Sequence, residues 1–542
     1  MPSTHFSPLP PFADPGFSST MRWDFNPFYT LVIVVIACGG IPKGYDEGGY
    51  SGSVTLPSFR ADFNLIPSDW AEDAAGLANR IANITSFNVL GAALGALVVF
   101  YLNDRLGRLV AWRLACIVWA SGTLVQIFSS GIYGLLLFSR IWSGLGAGGL
   151  TVTSPLYLSE IAPTKTRGRV VGLYMILLLA SLAIGFFINY GASTHMSVTR
   201  TQYRLVQAIA LIPVGVAFGL SYICPESPRY LASKQLHQAG LEALARLRGK
   251  DTNDPSIVEE FETIDAQVRE QASDLASVSH WAIFKETQRN PNYRQRFWLL
   301  MTMQTIAQWT GGNGITYYVT SIFKYAGLTG SAQSLISSGA YGITKLVFTV
   351  AFSWGLIDLI GRRRCALAGL SLQLAAHVYT GIYMGLRPES ERNQNASNAA
   401  VASVFVYAVG WSVGLCTIPY LYGTEIFPTR IRNVSYAISM ALHWFFQFAV
   451  VRVTGDMFVS LDVWGAYLFW ALICFLGIII LSIWMPETKG VPIERMGDLF
   501  EGPWYLRWRA RPRECVVASS SSTATETVAS KDNIPKSRDS AF

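Results

Sequence analysis

The 542-residue chain is 51% hydrophobic but only 14% charged, with 47 glycines and a formal net charge of +7. Soluble domains carry roughly 25% charged residues, so composition excludes a soluble enzyme, a nucleic-acid binder or a disordered scaffold for the whole chain. The 7 cysteines and 6 histidines show no metal-type spacing, which argues against a zinc site or a disulfide framework.

In chain order, residues 1–27 are rich in Pro and Ser and lack the apolar core of a cleavable leader. They are expected to form a cytoplasmic tail. A membrane helix needs about 20 mainly apolar residues. Six such stretches, near 28–48, 82–102, 111–130, 133–156, 170–190 and 204–223, make an expected first bundle over 28–223. A polar stretch, 224–296, follows as a cytoplasmic linker with short helices. Six more stretches, near 297–318, 337–358, 365–385, 401–422, 436–456 and 464–485, make a second bundle over 297–485. The tail 486–542 is expected to be cytoplasmic and, where it turns Ser/Thr-rich over 516–542, disordered after about 515. The expected fold is thus all-α integral membrane, with 12 spans in two six-helix bundles.

Basic residues set the orientation. Arg105, Arg108 and Arg113, then Lys165, Arg167 and Arg169, then Arg362, Arg363 and Arg364, then Arg430 and Arg432 fall in alternate loops. Those loops, and both termini, are expected on the cytoplasmic side. Of three N-x-S/T sequons, Asn395 falls outside and Asn83 at the outer edge of span two, so both are candidate glycosylation sites. Asn433 falls inside.

The halves repeat. Asp104-Arg105-Leu106-Gly107-Arg108 returns as Asp358-Leu359-Ile360-Gly361-Arg362, Ser159-Glu160-Ile161-Ala162-Pro163-Thr164 as Thr424-Glu425-Ile426-Phe427-Pro428-Thr429, and Pro225-Glu226-Ser227 as Pro486-Glu487-Thr488. Each supplies carboxylates or guanidiniums at cytoplasmic helix ends, where Arg can pair bidentately. The expected cytoplasmic gate is Asp104, Arg108, Glu160, Arg167, Glu226 and Arg229 with Asp358, Arg362, Glu425, Arg432 and Glu487, closing that side while the other is open.

These motifs resemble the sugar porters of the major facilitator superfamily. Gly44-Tyr45-Asp46, Arg140-Ile141-Trp142-Ser143-Gly144, Gln308-x-x-Gly311-x-Asn313-x-x-x-Tyr317-Tyr318, Pro225-Glu226-Ser227-Pro228-Arg229 and Pro486-Glu487-Thr488-Lys489-Gly490 carry the resemblance, over roughly 28–490. It implies two pseudo-symmetric bundles with substrate held between them near the bilayer midplane, and transport of monosaccharides or related polyols, often with a proton. It also implies proton coupling at Asp46 with Arg140 as its partner.

An ionisable group inside a span is a functional hypothesis by default. Lys43, Asp46 and Glu47 share one face of span one. Lys345 stands mid-span among apolar neighbours and needs an anion, either a substrate carboxylate or Asp46, Glu47 or Asp358. The resemblance is greatest to the fungal quinate and acidic-sugar branch, which shares a Gly-x-x-Lys here.

Sugar recognition by amides and aromatic faces points to Gln308, Asn313, Tyr317 and Tyr318, with Tyr420, His443 and Gln447 at positions matching family ligands. The pattern departs from the family at Ala307, Met175 and Tyr420, where hexose-binding groups are lost or exchanged. The expected function is secondary transport of a sugar or sugar-like molecule, with quinate or galacturonate as acidic candidates, by alternating access and with proton symport. A transporter of a specialised metabolite and a non-transporting nutrient sensor stay open as alternatives. The expected partners are a small-molecule substrate, a proton and the lipid bilayer. A monomer in the plasma membrane is expected, with no enzyme activity and no cofactor, since no phosphate-binding loop is present.

Overall fold

The computed structural model describes residues 26–505, apart from 71–72, 164–165, 276–279, 329, 387–393, 492–495 and 502–504. The expected disorder after about 515 lies outside the described residues. All of the regular structure described is helical. Inside a bilayer every backbone N–H and C=O must be satisfied within the protein, and helices do so segment by segment. Eleven helices are long and apolar enough to cross a membrane among the described residues. They match the expected spans except residues 297–318.

That expected span is built from two helices, Pro291–Trp309 and Gly312–Tyr325. They are broken at Thr310–Gly311, where Gly311 takes a positive φ of 91° that a side chain would strain. The break frees the Thr310 carbonyl, and the buried His377 ring nitrogen Nε2 lies 3.1 Å from it. Nε2–H is therefore the donor, in a place where an unpaired carbonyl would be costly.

Within the first half, span two (Ala74–Leu106) and span four (Tyr133–Ile161) pack through Gly91, Gly95, Gly144 and Gly148. A Cβ on Gly95 would lie 1.9 Å from the Leu145 carbonyl, so only small residues permit this approach. The close packing is what lets one long side chain of span four reach span one.

The repeated motifs build matching networks at one end of each half. In the first, Arg108 Nη2 meets Glu160 Oε1 at 3.0 Å, and Glu226 accepts the backbone N–H of Arg108 and Leu109 at the start of span three. In the second, Arg362 Nη2 meets Glu425 Oε1 at 3.0 Å, and Glu487 accepts the N–H of Arg362 and Arg363 at the start of span nine. A carboxylate at a helix N-terminus satisfies orphan donors and complements the dipole. Gly107 and Gly361, with φ of 101° and 103°, make the two turns. Burial pushes the Glu226 carboxyl up, against the Ser227 and Leu109 N–H groups and Arg108 that favour its charged form.

Of the linker, helices His237–Arg248 and Pro255–Leu275 attach to the first half. Arg248 pairs with Glu260 at 2.7 Å and donates to the Ile161 carbonyl. Helix His280–Arg289 belongs instead to the second half, its Ile283 buried in one cluster with Leu299 and Ile426.

Candidate functional site

The centre of the molecule holds an ion pair. Span one is a chain of short helical pieces from Pro27 to Ser53, with a wider turn at Asp46–Tyr50. Asp46 lies in that turn, buried. Both of its carboxylate oxygens meet the Arg140 guanidinium, and Oδ2 is 3.2 Å from Nη2. Arg140 is 1% exposed, donates from Nε to the Ile84 carbonyl at 2.8 Å, and lies 3.8 Å over the Tyr50 ring. A buried pair depends on further groups to satisfy the donors it leaves over, and the Ile84 carbonyl serves Nε while the Tyr50 ring covers the guanidinium face.

A second pair lies one turn away. Lys43 Nζ is 3.2 Å from Glu47 Oε1. The Tyr317 hydroxyl, from the far half, joins the two pairs: it donates to Asp46 Oδ2 at 2.8 Å and accepts from Lys43 at 3.4 Å. Tyr317 was expected to touch substrate and is instead bound to the Asp46 carboxylate. Tyr318, rotated by about 100° as the next residue on a helix, packs edge-on against Phe458 in the aromatic core.

The facing wall of the second half is neutral. His443 Nδ1 lies 3.1 Å from Gln304 Oε1 and 3.0 Å from Gln308 Nε2, while Nε2 lies 2.9 Å from the Tyr420 hydroxyl. Nδ1 can serve only one amide at a time. With Nδ1–H donating to Gln304, Nε2 accepts from Tyr420, and Gln308 is free to turn toward the centre. Gln308 Oε1 and Gln447 Nε2 are buried without a protein partner, and Asn313 makes no side-chain hydrogen bond among the described residues.

Lys345 is 1% exposed in span eight. Its ammonium donates to Thr316 Oγ1 at 3.1 Å and sits 3.9 Å over the Trp411 ring and 5.6 Å over Tyr341. No carboxylate lies within ion-pair distance of it among the described residues. Glu47 is within electrostatic reach but is paired with Lys43, and Asp46 with Arg140. The side chain of Asp358, the third expected partner, lies outside those described. Among the described residues the central cluster therefore holds three basic side chains, Lys43, Arg140 and Lys345, against two carboxylates, Asp46 and Glu47.

Residues 32–500 match the family model described as "Sugar (and other) transporter". The chain belongs to this family. It is 31% identical over 471 residues to the quinate permease of Neurospora africana, covering 84% of this chain and 86% of that protein. It is 30% identical over 473 residues to a probable quinate permease of Aspergillus fumigatus, covering 86% of each. Among solved structures, the inward-open xylose transporter XylE from E. coli shares the fold at a TM-score of 0.70 with 19% identity, covering 87% of this chain and 100% of that one. The partially occluded inward-open form of XylE matches at 0.68. The fold is that of the major facilitator superfamily, and the protein is a multi-pass membrane transporter, not an enzyme.

Sequence reasoning located most of this transporter's central residues and paired Asp46 with Arg140, but did not find the partners of Tyr317, Lys345 or His443. Asp46, Arg140, Gln308, Tyr420 and His443 do converge. Gln304 was missed. It stands one helical turn before Gln308 in an otherwise apolar run, and that spacing was the available signal. Trp411 and Tyr341, which line the Lys345 ammonium, carried no signal beyond being aromatic.

The expected gate residues pair between helix ends within each half. Arg108, Glu160 and Glu226 bond within the first half, as do Arg362, Glu425 and Glu487 within the second. Asp104 pairs with Arg108 at 3.4 Å but is mostly exposed. Arg229 donates to Gln267 of the linker and Arg432 to the Phe427 carbonyl, while Arg167 is exposed. Hydrogen bonds that cross between halves include Tyr317 with Asp46 and Lys43 at the centre, and Arg452 Nη2 with Asn79 Oδ1 at 2.5 Å toward the opposite end. Asn83 is corrected. It sits within the continuous helix Ala74–Leu106, half-buried, with the Thr85 of its sequon 2% exposed, where a glycan cannot be accommodated. Asn395 is exposed at the start of span ten.

Proposed function

We propose that this transporter moves a polyhydroxylated small molecule bearing a carboxylate, in symport with a proton, by alternating access of its halves. The observation that carries the reading is the unbalanced central charge. Among the described residues one cation more than carboxylate is present, and Lys345 has only neutral partners. A buried ammonium with no anion is costly, and a substrate carboxylate supplies one. The relatives named quinate permeases support an acidic substrate.

Asp46 is the proton site. Protonation removes its charge, loosens Arg140 and weakens the Tyr317 tie between the halves, so proton binding and opening are linked. Gln308, Asn313 and Gln447 offer substrate hydroxyls the acceptor and donors that the protein leaves unused. The basic motif end and both termini face the cytoplasm, Asn395 faces the outside as a glycan site, and the transporter works as a monomer in the plasma membrane.

The test is uptake into proteoliposomes with an imposed inward proton gradient, using quinate, galacturonate, glucose and xylose. Accumulation of an acid that collapses with an uncoupler is expected. Equal accumulation of glucose and the acids would remove the carboxylate from the reading, and uncoupler-insensitive uptake would remove the proton.

A further inference from the structure

The helix His280–Arg289 carries an unassigned surface. Its buried side, with Ile283 and Thr287, packs on the second half. Its outer side exposes Trp281, 63% accessible, with Lys285 and Arg289 one and two turns on. Lys285 Nζ lies 5.9 Å over the Trp281 ring. The aromatic contacts then continue without a gap. Trp281 stacks on Phe284 at 5.5 Å, Phe284 meets Phe297 at 5.9 Å, and Phe297 meets Trp298 at 5.6 Å. Trp298 is 52% accessible at the beginning of the broken seventh span. An aromatic strip therefore runs from a basic, surface-lying helix into a membrane-crossing one. Beside it lies an open groove of about 590 Å³ lined in part by Lys285, Glu286 and Arg289.

Tryptophans favour the headgroup level of a bilayer, and basic residues beside them attract anionic lipid. We propose that this surface is an interfacial anchor that binds an anionic phospholipid. The lipid phosphate lies between Lys285 and Arg289, and Trp281 and Trp298 are seated among the headgroups. The anchor holds the Pro291–Trp309 half of span seven against the leaflet. The charge sign fits the cytoplasmic leaflet and so rests on the orientation proposed above. The test reads lipid preference in detergent, which does not depend on that orientation.

Purified full-length protein is equilibrated with equal phosphatidylserine and phosphatidylcholine, and retained lipid is read by native mass spectrometry, with inorganic phosphate as a soluble competitor. Wild type is expected to retain phosphatidylserine preferentially. Lys285→Gln with Arg289→Gln should lower that preference about 25-fold, from a factor of about five per basic residue near an anionic surface. Arg289→Lys should keep it, and Trp281→Ala should weaken retention of both lipids. The proposal is overturned if the double variant, shown folded by its elution, keeps the wild-type preference. Displacement of the lipid by millimolar phosphate would also overturn it, as would a wild-type dimer that the double variant dissociates, which would make the surface a contact between copies.

Discussion

At their motif ends the two halves are close copies, and at the centre they have parted. Arg108–Glu160 and Arg362–Glu425 are both 3.0 Å, and Glu226 and Glu487 each cap the first N–H groups of the following span. At the centre the first half contributes Lys43, Asp46, Glu47 and Arg140. The second contributes the amides Gln304, Gln308 and Gln447 around a histidine, with Lys345 set apart on aromatic rings. Duplication kept what any six-helix unit needs, which is a fixed end for each helix. It released what only one half needs. In the function proposed above, the first half carries the charge that couples to the proton, and the second carries the groups that recognise a substrate.

The largest expected effect tests that division. Asp46→Asn should abolish proton-driven accumulation while leaving substrate exchange between equal concentrations measurable, because the neutral amide imitates the protonated acid. Exchange is read by counterflow and accumulation by uptake under a gradient. If both vanish together in a protein that still folds, Asp46 serves binding as well as coupling. Arg140→Gln should be worse for the fold, by about 3–5 kcal/mol, since it leaves a buried carboxylate without its cation. Next in size is Lys345→Met. A hydrogen bond to a charged group contributes about 1.5–3 kcal/mol, so affinity for acidic substrates should fall on the order of 10- to 150-fold while any neutral polyol binds as before. Equal loss of both would make Lys345 structural and return the charge count to an internal role.

The legible part of this molecule was set by residue type, and the illegible part by direction. Apolar runs placed the spans because a bilayer tolerates little else. Charges inside those runs exposed Asp46 and Arg140 because nothing but function or pairing keeps them there. Hydropathy could not see that residues 297–318 are two helices, since a single glycine torsion makes the break. Nor could it tell that Tyr317 turns to Asp46 and Tyr318 to Phe458, for the two differ only by one step around a helix. The gate motifs named charges correctly but not their partners. A pattern read along the chain does not say which half an arginine faces.

A smaller effect is expected at the neutral wall. His443→Asn removes the ring that joins Gln304 to Tyr420 and frees the Tyr420 hydroxyl. One hydrogen bond contributes about 1 kcal/mol net, so the Michaelis constant should shift about five-fold. The substrate preference should move toward neutral sugars with more hydroxyls to satisfy. A loss of transport with unchanged Michaelis constant would place His443 in the moving machinery, not in recognition.

The smallest effect is also the sharpest test of likeness. Glu226→Gln and Glu487→Gln each keep the shape of the cap but remove its charge from a helix N-terminus, a change of about 0.3–1 kcal/mol near a helix end. If the two networks are equivalent supports within their halves, thermal unfolding of the two variants should shift by the same small amount, and uptake should follow surface level in both. If they formed a gate between halves, neutralising one would shift the balance of open and closed forms. Transport would then change in sign or size from one variant to the other while stability stayed matched. The intra-half bonding of Glu226 to Leu109 and of Glu487 to Arg363 predicts the first result.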